Sequence, residues 1–176
     1  MCDTGYTPKD LVADLREVVG RGEPEAVVLE EVRELVKRLL LMKHNWLRSS
    51  MQQPSGDPQL PSIYKLHEEP DHSLTVNVVT WMPGRETRPH NHLTWAVVGG
   101  LGGWETQHLW KRAEGDPERV TKVATERVDT KTIVTLDSQA IHSVHNDSGA
   151  LSVTLHVYGR NPEFTDRQHF EQMGSG

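Results

Sequence analysis

Two histidines, at positions 90 and 92, are the residues of this chain best suited to chemistry. They end the segment Gly84–His92, which reads GRETRPHNH. Side chains two residues apart on an extended chain point to the same side, so the two imidazoles could hold one metal ion. The alternative is a pair of surface histidines in a turn, and an isolated H-x-H pattern does not decide between the two.

A second polar group lies near the end of the chain. Thr154, His156 and Tyr158 alternate with apolar residues, so on a strand they share one face. If that face points inward, Thr154 would hold His156, and His156 would hold the Tyr158 hydroxyl in a buried hydrogen-bonded relay. If it points outward, the same residues form an exposed polar surface, and the alternation alone allows both.

The composition limits which partners and ligands are expected. The chain has 176 residues and a net charge of −6, which argues against nucleic acid as a partner. No apolar run approaches the roughly 18 residues of a membrane helix, and no signal pattern opens the chain, so we expect no membrane partner and a cytoplasmic location. Ten histidines and one cysteine exclude an internal disulfide framework and favour an all-histidine metal site.

The N-terminal third is predicted to be helical, over Thr7 to Lys43. Thr7 is the expected N-cap, followed by Pro8 at the first helical position. Glycines and Pro24 interrupt the apolar stripe, so a second helix begins near Pro24. The polar, proline-rich residues 49–62 then form a loop.

The remainder is predicted to consist of short strands separated by turns, one of them at Gly99-Gly100. Such a pattern indicates an all-β sandwich or barrel. We therefore expect a single, mainly β domain over 1–176, with a helical part over 1–48 and a barrel over 63–160. The predicted strands are Ile63–His67, Leu74–Trp81, Thr94–Leu101, Trp104–Lys111, Val120–Val128, Thr132–Leu136 and Leu151–Tyr158.

Two motifs resemble those of the cupins. The spacing G-x5-H-x-H from Gly84 to His92 resembles the opening of the first cupin motif, and His142 to Asn146 resembles the H-x3-N of the second. About 50 residues of strand-like sequence separate them. The resemblance implies a cupin jelly-roll barrel (a double-stranded β-helix) in which His90, His92 and His142 form a three-nitrogen metal site.

One departure from the cupin motif concerns the metal ligands. The usual motif continues with a Glu four or five residues after the second His, where this chain has Ala96 and Val97. Glu105 is the nearest acid downstream and is expected on the next strand. Three neutral imidazoles leave a divalent ion its full positive charge and open positions, which suits an anionic ligand such as a thiolate, together with dioxygen.

Together, three segments resemble the thiol dioxygenase branch of the cupins, the family of cysteine dioxygenase and 3-mercaptopropionate dioxygenase. They are Pro89–Trp95 with Gly99, Ile141–Asn146 and Ser152–Gly159, and the likeness extends from about Tyr64 to Phe170. It implies non-heme Fe(II) on the three histidines and oxidation of a thiol to a sulfinic acid with O2.

The same resemblance implies a catalytic relay of Thr154, His156 and Tyr158, with Thr154 where the family usually has Ser. Tyr158 would hydrogen-bond the ligand or the oxygen species. Trp95 is expected in the barrel core and as a candidate lining of the substrate pocket.

Two departures favour the bacterial mercapto-acid branch over mammalian-type cysteine dioxygenase. The mammalian type has a Cys after the metal motif that is cross-linked to the Tyr, whereas the only Cys here is Cys2, to which we assign no role. It also binds the substrate carboxylate through an Arg soon after a Tyr on an early strand, whereas Tyr64–His67 contains no Arg. A distal Arg does this in the mercapto-acid branch, and the candidates are Arg160 and Arg167, with Arg167 preferred.

Six histidines are left without a site role. His145, three residues after His142, is open to a supporting role at the site. The other five are expected to be surface or packing residues: His44, His67, His72, His108 and His169.

The sequence thus predicts an iron-dependent dioxygenase of a small thiol, most simply 3-mercaptopropionate, with the thiol and O2 as its partners. A homo-oligomer is compatible with this prediction. Two other functions stay open: a cupin dioxygenase of a non-thiol substrate, and a metal-binding or sensor cupin without catalysis.

Overall fold

The computed structural model describes residues 5–173, so Cys2 lies outside the described residues. Helices occupy the N-terminal part, and a short 3-10 turn at Ser49–Gln52 leads into the strands. None of the helices in residues 5–173 has the length and apolar character needed to cross a membrane. The helices are α1 (Pro8–Gly20), α2 (Glu25–Leu41) and α3 (Lys43–Trp46).

The predicted helix starts are confirmed. The Thr7 hydroxyl accepts a hydrogen bond from the Asp10 backbone N–H, and the Asp10 carboxylate accepts one from the Thr7 N–H. This reciprocal capping box satisfies two N–H groups that the first turn leaves unpaired. The second helix begins at Glu25, directly after Pro24.

The strands of the described residues form two sheets. One has five strands in the order β1-β2-β8-β3-β6, and the other has four in the order β7-β4-β5-β9. Neighbouring strands are antiparallel except β5 and β9. The strands are β1 (Ser62–Glu68), β2 (Thr75–Trp81), β3 (Ala96–Gly102), β4 (Trp104–Ala113), β5 (Asp116–Asp129), β6 (Ile133–Leu136), β7 (Ile141–His145), β8 (Ser152–Tyr158) and β9 (Glu171–Gln172).

The predicted mainly β architecture with N-terminal helices is confirmed, and all seven predicted strands are present. Two strands were not predicted: β7, which carries His142, and the two-residue β9. The predicted turn at Gly99-Gly100 is wrong, because both glycines lie within β3. A Cβ at Gly99 would meet Leu40 Cδ1 at 2.6 Å, and one at Gly100 would meet the Asp129 carbonyl oxygen at 1.9 Å. Glycine there allows close packing rather than a turn.

The main hydrophobic core lies between the helices and the five-stranded sheet. Val153, Leu155 and Val157 of β8 join buried residues of both long helices in this layer. Successive side chains of a strand point to opposite sides, so Ser152, Thr154, His156 and Tyr158 face the second sheet. The inward orientation of the polar set, left open by the sequence, follows from this packing.

Candidate metal centre

A short antiparallel bridge brings the two histidine motifs together. The His90 backbone N–H donates to the His142 carbonyl, and the His142 N–H donates to the His90 carbonyl, both at 2.9 Å. His90 and His92 lie in the segment between β2 and β3, and His142 lies on β7. This bridge places residues that are about 50 positions apart in the chain at one point inside the barrel.

The imidazoles of His90, His92 and His142 converge through their Nε2 atoms. The Nε2 atom of His92 is 3.2 Å from that of His90 and 3.3 Å from that of His142, and the three potential ligand atoms all lie within 4.8 Å of one another. Two nitrogens that are each about 2.1 Å from one ion would be about 3.0 Å apart at a right angle and about 3.4 Å apart at the tetrahedral angle. The observed separations therefore fit a shared metal ion.

Burial keeps these three imidazoles neutral, which is the state that binds metal. Loss of hydration lowers the pKa of His90 to about 4 and lowers the pKa values of His92 and His142 well below 6.5. The neighbouring histidines and the charge of Arg167 lower them further. The Nδ1 of His90 lies 2.9 Å from the Arg88 carbonyl, to which it can donate, so its Nε2 is left with a lone pair.

The relay geometry is present beside the three histidines. The Thr154 hydroxyl is 2.9 Å from His156 Nε2, and His156 Nδ1 is 2.8 Å from the Tyr158 hydroxyl. The Tyr158 ring stands edge-on to the His92 ring, with 5.1 Å between centroids. Burial lowers the pKa of His156 to about 4 and raises the pKa of Tyr158, so both side chains are neutral near pH 7.

The candidate substrate residues take different positions. Arg167 lines the same cavity as the three histidines and Tyr158. Arg160 is exposed, and its Nε donates to the Phe164 carbonyl at 3.0 Å, outside the cavity lining. Trp95 is not brought to the cavity either, because it packs against the main core. A Cβ on Gly159 would lie 2.3 Å from the Trp95 indole nitrogen, so this glycine makes room for the ring.

Among the described residues, no carboxylate joins the three histidines as a potential metal ligand, although Glu86 and Glu163 line the same cavity. Ala96 and Val97 are buried in β3, and Glu105 lies on β4, the next strand, as predicted. Glu105 accepts a hydrogen bond from the Ser152 hydroxyl at 2.7 Å, and burial raises its pKa to about 7. Within residues 5–173, the group of side chains suited to a metal ion consists of the three histidines alone.

The remaining histidines lie outside the ligand group, including exposed His169, whose ring centroid is 5.8 Å from that of His90. His67 and His72 pair with Glu69 and Glu68, and the His72 ring also stacks on Phe164. His108 contacts the Thr125 hydroxyl. His145 is an odd number of residues from His142 on β7 and therefore points to the opposite side of the strand. His44 is exposed on α3.

The cavity that contains the three histidines has a volume of about 570 Å³. Its lining includes β2 residues that the sequence analysis did not single out. Asn77 could have been singled out from the sequence, because its amide interrupts the valine- and threonine-rich run of β2. It pairs with His156 across the sheet. Its Oδ1 and the Trp81 indole nitrogen are buried without a hydrogen-bond partner among the described residues.

No protein-family model matches this chain. Solved structures with a similar fold include a conserved protein of Klebsiella pneumoniae with a double-stranded β-helix domain, at a TM-score of 0.50 and 16% identity over 69% of this chain and 87% of that one. A Thermus thermophilus protein has a TM-score of 0.50 at 12% identity, over 65% of this chain and 96% of that one. Oxalate oxidase in complex with glycolate also has a TM-score of 0.50, at 14% identity over 70% of this chain and 63% of that one.

At these identities the likeness shows the fold alone. The chain has a double-stranded β-helix fold with N-terminal helices, as the motifs predicted. The three-histidine group adds a site that could bind a metal.

Proposed function

We propose that this protein is an iron-dependent dioxygenase of a small mercapto-acid, with 3-mercaptopropionate as the simplest substrate. The reaction adds both atoms of O2 to the substrate sulfur, so that RSH and O2 become RSO2H. The thiol is oxidised, O2 is reduced, and no further reductant is required.

The observation that carries the proposal is the position of Tyr158. Its hydroxyl ends the hydrogen-bonded relay, and its ring contacts His92, so a polar group of defined orientation stands beside the candidate ligands. A site that only stores a metal does not require such a relay, whereas a reaction between a bound thiol and O2 does benefit from a fixed donor.

Fe(II) suits the proposed site, because three neutral imidazoles bind it and leave open positions. When bound, it would supply a place for the anionic sulfur and the redox chemistry with O2. His90, His92 and His142 would hold it, and Arg88 would orient His90 through its backbone carbonyl.

The direction of the hydrogen bonds along the relay decides whether the Tyr158 hydroxyl donates or accepts in the cavity. If the Thr154 hydroxyl donates to His156 Nε2, then His156 Nδ1–H donates to the Tyr158 oxygen, and the Tyr158 O–H is free to donate into the cavity. The raised pKa of Tyr158 keeps that proton in place. The guanidinium of Arg167 binds the substrate carboxylate, since planar paired donors match its two oxygens.

The test is anaerobic protein loaded with Fe(II), mixed with 3-mercaptopropionate, cysteine or cysteamine and then with O2. We expect O2 uptake and a sulfinate product, fastest with 3-mercaptopropionate. No uptake with any of the three thiols contradicts the proposal. Uptake with a non-thiol alone would indicate a different cupin dioxygenase, and metal binding without turnover would indicate a sensor.

A further inference from the structure

The cavity is large for a three-carbon mercapto-acid. Its volume of about 570 Å³ lies within the range of about 300–1,000 Å³ that is typical of pockets for drug-sized ligands. The three histidines, Tyr158 and Arg167 occupy only part of the lining. A small thiol acid bound to these groups would leave the rest of the cavity without substrate contact.

One part of the remaining lining is apolar, next to polar residues that include Lys65 and Glu86. Val79 and Trp81 of β2 pack with Val144 of β7 in a cluster separate from the main core, and all three line the cavity. Ile63 of β1 pairs with Val79 across the sheet and also lines the cavity, yet its side chain is 54% exposed. We call Ile63, Val79, Trp81 and Val144 the apolar wall.

Strand register places the apolar wall next to the relay and away from its Tyr158 end. Val79 lies opposite Thr154 and Trp81 opposite Ser152, whereas Thr75 lies opposite Tyr158. The cavity lining on β2 runs from Asn77 to Trp81, which at about 3.3 Å per residue is about 13 Å of strand. The apolar wall therefore extends the cavity well beyond the length of a three-carbon acid.

We propose that the substrate of this site is a mercapto-acid with a branched or aromatic apolar group, and that the apolar wall binds that group. The inference rests on the proposed thiol chemistry and names its substrate class. An apolar substrate group bound at the wall removes its own surface and that of the wall from water, which is favourable in free energy. Exposed Ile63 is then the rim of a binding surface rather than a residue left outside the core.

The test compares the anaerobic binding of 3-mercaptopropionate and 2-benzyl-3-mercaptopropionate to Co(II)-loaded protein. Binding is measured by calorimetry and by the thiolate absorption of the metal. We expect the benzyl compound to bind at least about tenfold more tightly. Ile63→Asp should remove most of that advantage, so that the ratio of the two Kd values falls towards one. Val144→Phe fills the space beside the apolar wall and should also weaken the binding of the benzyl compound.

Val123→Asp is the matched control, because Val123 is 51% exposed on β5 and does not line the cavity. It should change neither Kd. Equal binding of the two thiols, or equal effects of Ile63→Asp on both, would overturn the inference while 3-mercaptopropionate oxidation still supports the proposed function. Tight binding of the benzyl compound that Ile63→Asp weakens, without O2 uptake by the iron form, would support the apolar wall and contradict the dioxygenase.

Discussion

The two faces of β8 belong to different regions of the molecule. Its outward residues, such as Leu155, pack with the helices in a layer of apolar side chains. Its inward residues, such as His156, lie inside the barrel among hydrogen-bonded polar groups. A shift of one residue in register would exchange the two sets, so the same pairing that buries the core also places the relay.

The two regions differ in how completely their buried polar groups are hydrogen-bonded. The helix–sheet layer consists mainly of buried apolar side chains, and it supplies stability. The barrel interior contains buried polar atoms without partners among the described residues, including Gln107 Nε2 and His142 Nδ1. Such groups cost stability, and they cluster where binding and chemistry are expected. Stability and ligand binding should therefore respond to separate substitutions.

The largest effect is expected from His142→Ala. Loss of groups that only orient a metal ligand already costs about 10–100-fold in affinity, so loss of a ligand should weaken metal binding by more than about 100-fold. The measurement is iron per chain after anaerobic loading and desalting. His169→Ala is the control, since this exposed histidine lies beside His90 but outside the ligand group. Full iron occupancy in His142→Ala would exclude the three-histidine site.

The next effect concerns the helix–sheet layer. Leu39 is fully buried in α2, and Leu39→Ala should lower the free energy of unfolding by about 2–5 kcal/mol. Leu41, two residues later and 73% exposed, gives the control Leu41→Ala, which should change it by about 0.5 kcal/mol or less. Denaturant unfolding measures both. Weaker metal binding by folded Leu39→Ala would show that the two regions are not separable.

Within the barrel, Tyr158→Phe should lower turnover of 3-mercaptopropionate by about 100-fold, which is about 2.7 kcal/mol in activation free energy. Iron content and unfolding should stay near those of the wild type, because the ring remains. Thr154→Val, which removes the hydroxyl, should lower turnover by a smaller factor. Thr154→Ser, which keeps the hydroxyl, should retain activity. Unchanged turnover in Tyr158→Phe would favour the non-catalytic alternative.

The last effect is a pH dependence, and it concerns Glu105, the buried carboxyl of the barrel interior. Its pKa is raised from 4.5 to about 7, so the folded chain keeps a proton that the unfolded chain releases. Its contribution to stability is therefore complete below pH 4.5 and is lost as the pH rises towards 7, by about 1.4 kcal/mol per pH unit. Glu105→Gln removes this dependence.

The buried histidines act in the opposite direction, because their lowered pKa values favour folding above pH 6.5. The informative quantity is therefore the difference in unfolding free energy between Glu105→Gln and the wild type at pH 5, 6 and 7. We expect the variant to gain on the wild type as the pH rises. Glu126→Gln, on exposed β5, is the control, and a pH-independent difference for Glu105→Gln would contradict the assignment.

Local patterns were enough to predict much of the site. The H-x-H pair and the alternation from Thr154 to Tyr158 both depend on the two-residue period of extended chain, which any strand imposes. His142 needed more, because its place beside His92 depends on a backbone bridge between distant segments. Only the resemblance to the second cupin motif pointed to it.

Other features depend on packing that local patterns do not record. Gly99 and Gly100 read as a turn, although their lack of side chains serves the close approach of α2 and Asp129. Trp95 was a candidate for the pocket lining. Its ring instead occupies the space that Gly159 leaves and packs against the main core. The apolar wall joins β1, β2 and β7, and its common cavity exists only once both sheets have formed.

The segment 165–170 carries Arg167 and also contacts the loop that bears the candidate metal ligands His90 and His92. The Thr165 hydroxyl donates to the His92 carbonyl at 2.7 Å, and the Phe170 N–H donates to the Pro89 carbonyl at 2.9 Å, while Arg167 lies between them. If Arg167 binds the substrate carboxylate as proposed, an anion held there also stabilises the loop that carries the imidazoles. Thermodynamic reciprocity then requires the carboxylate and the metal to raise each other's affinity by the same factor.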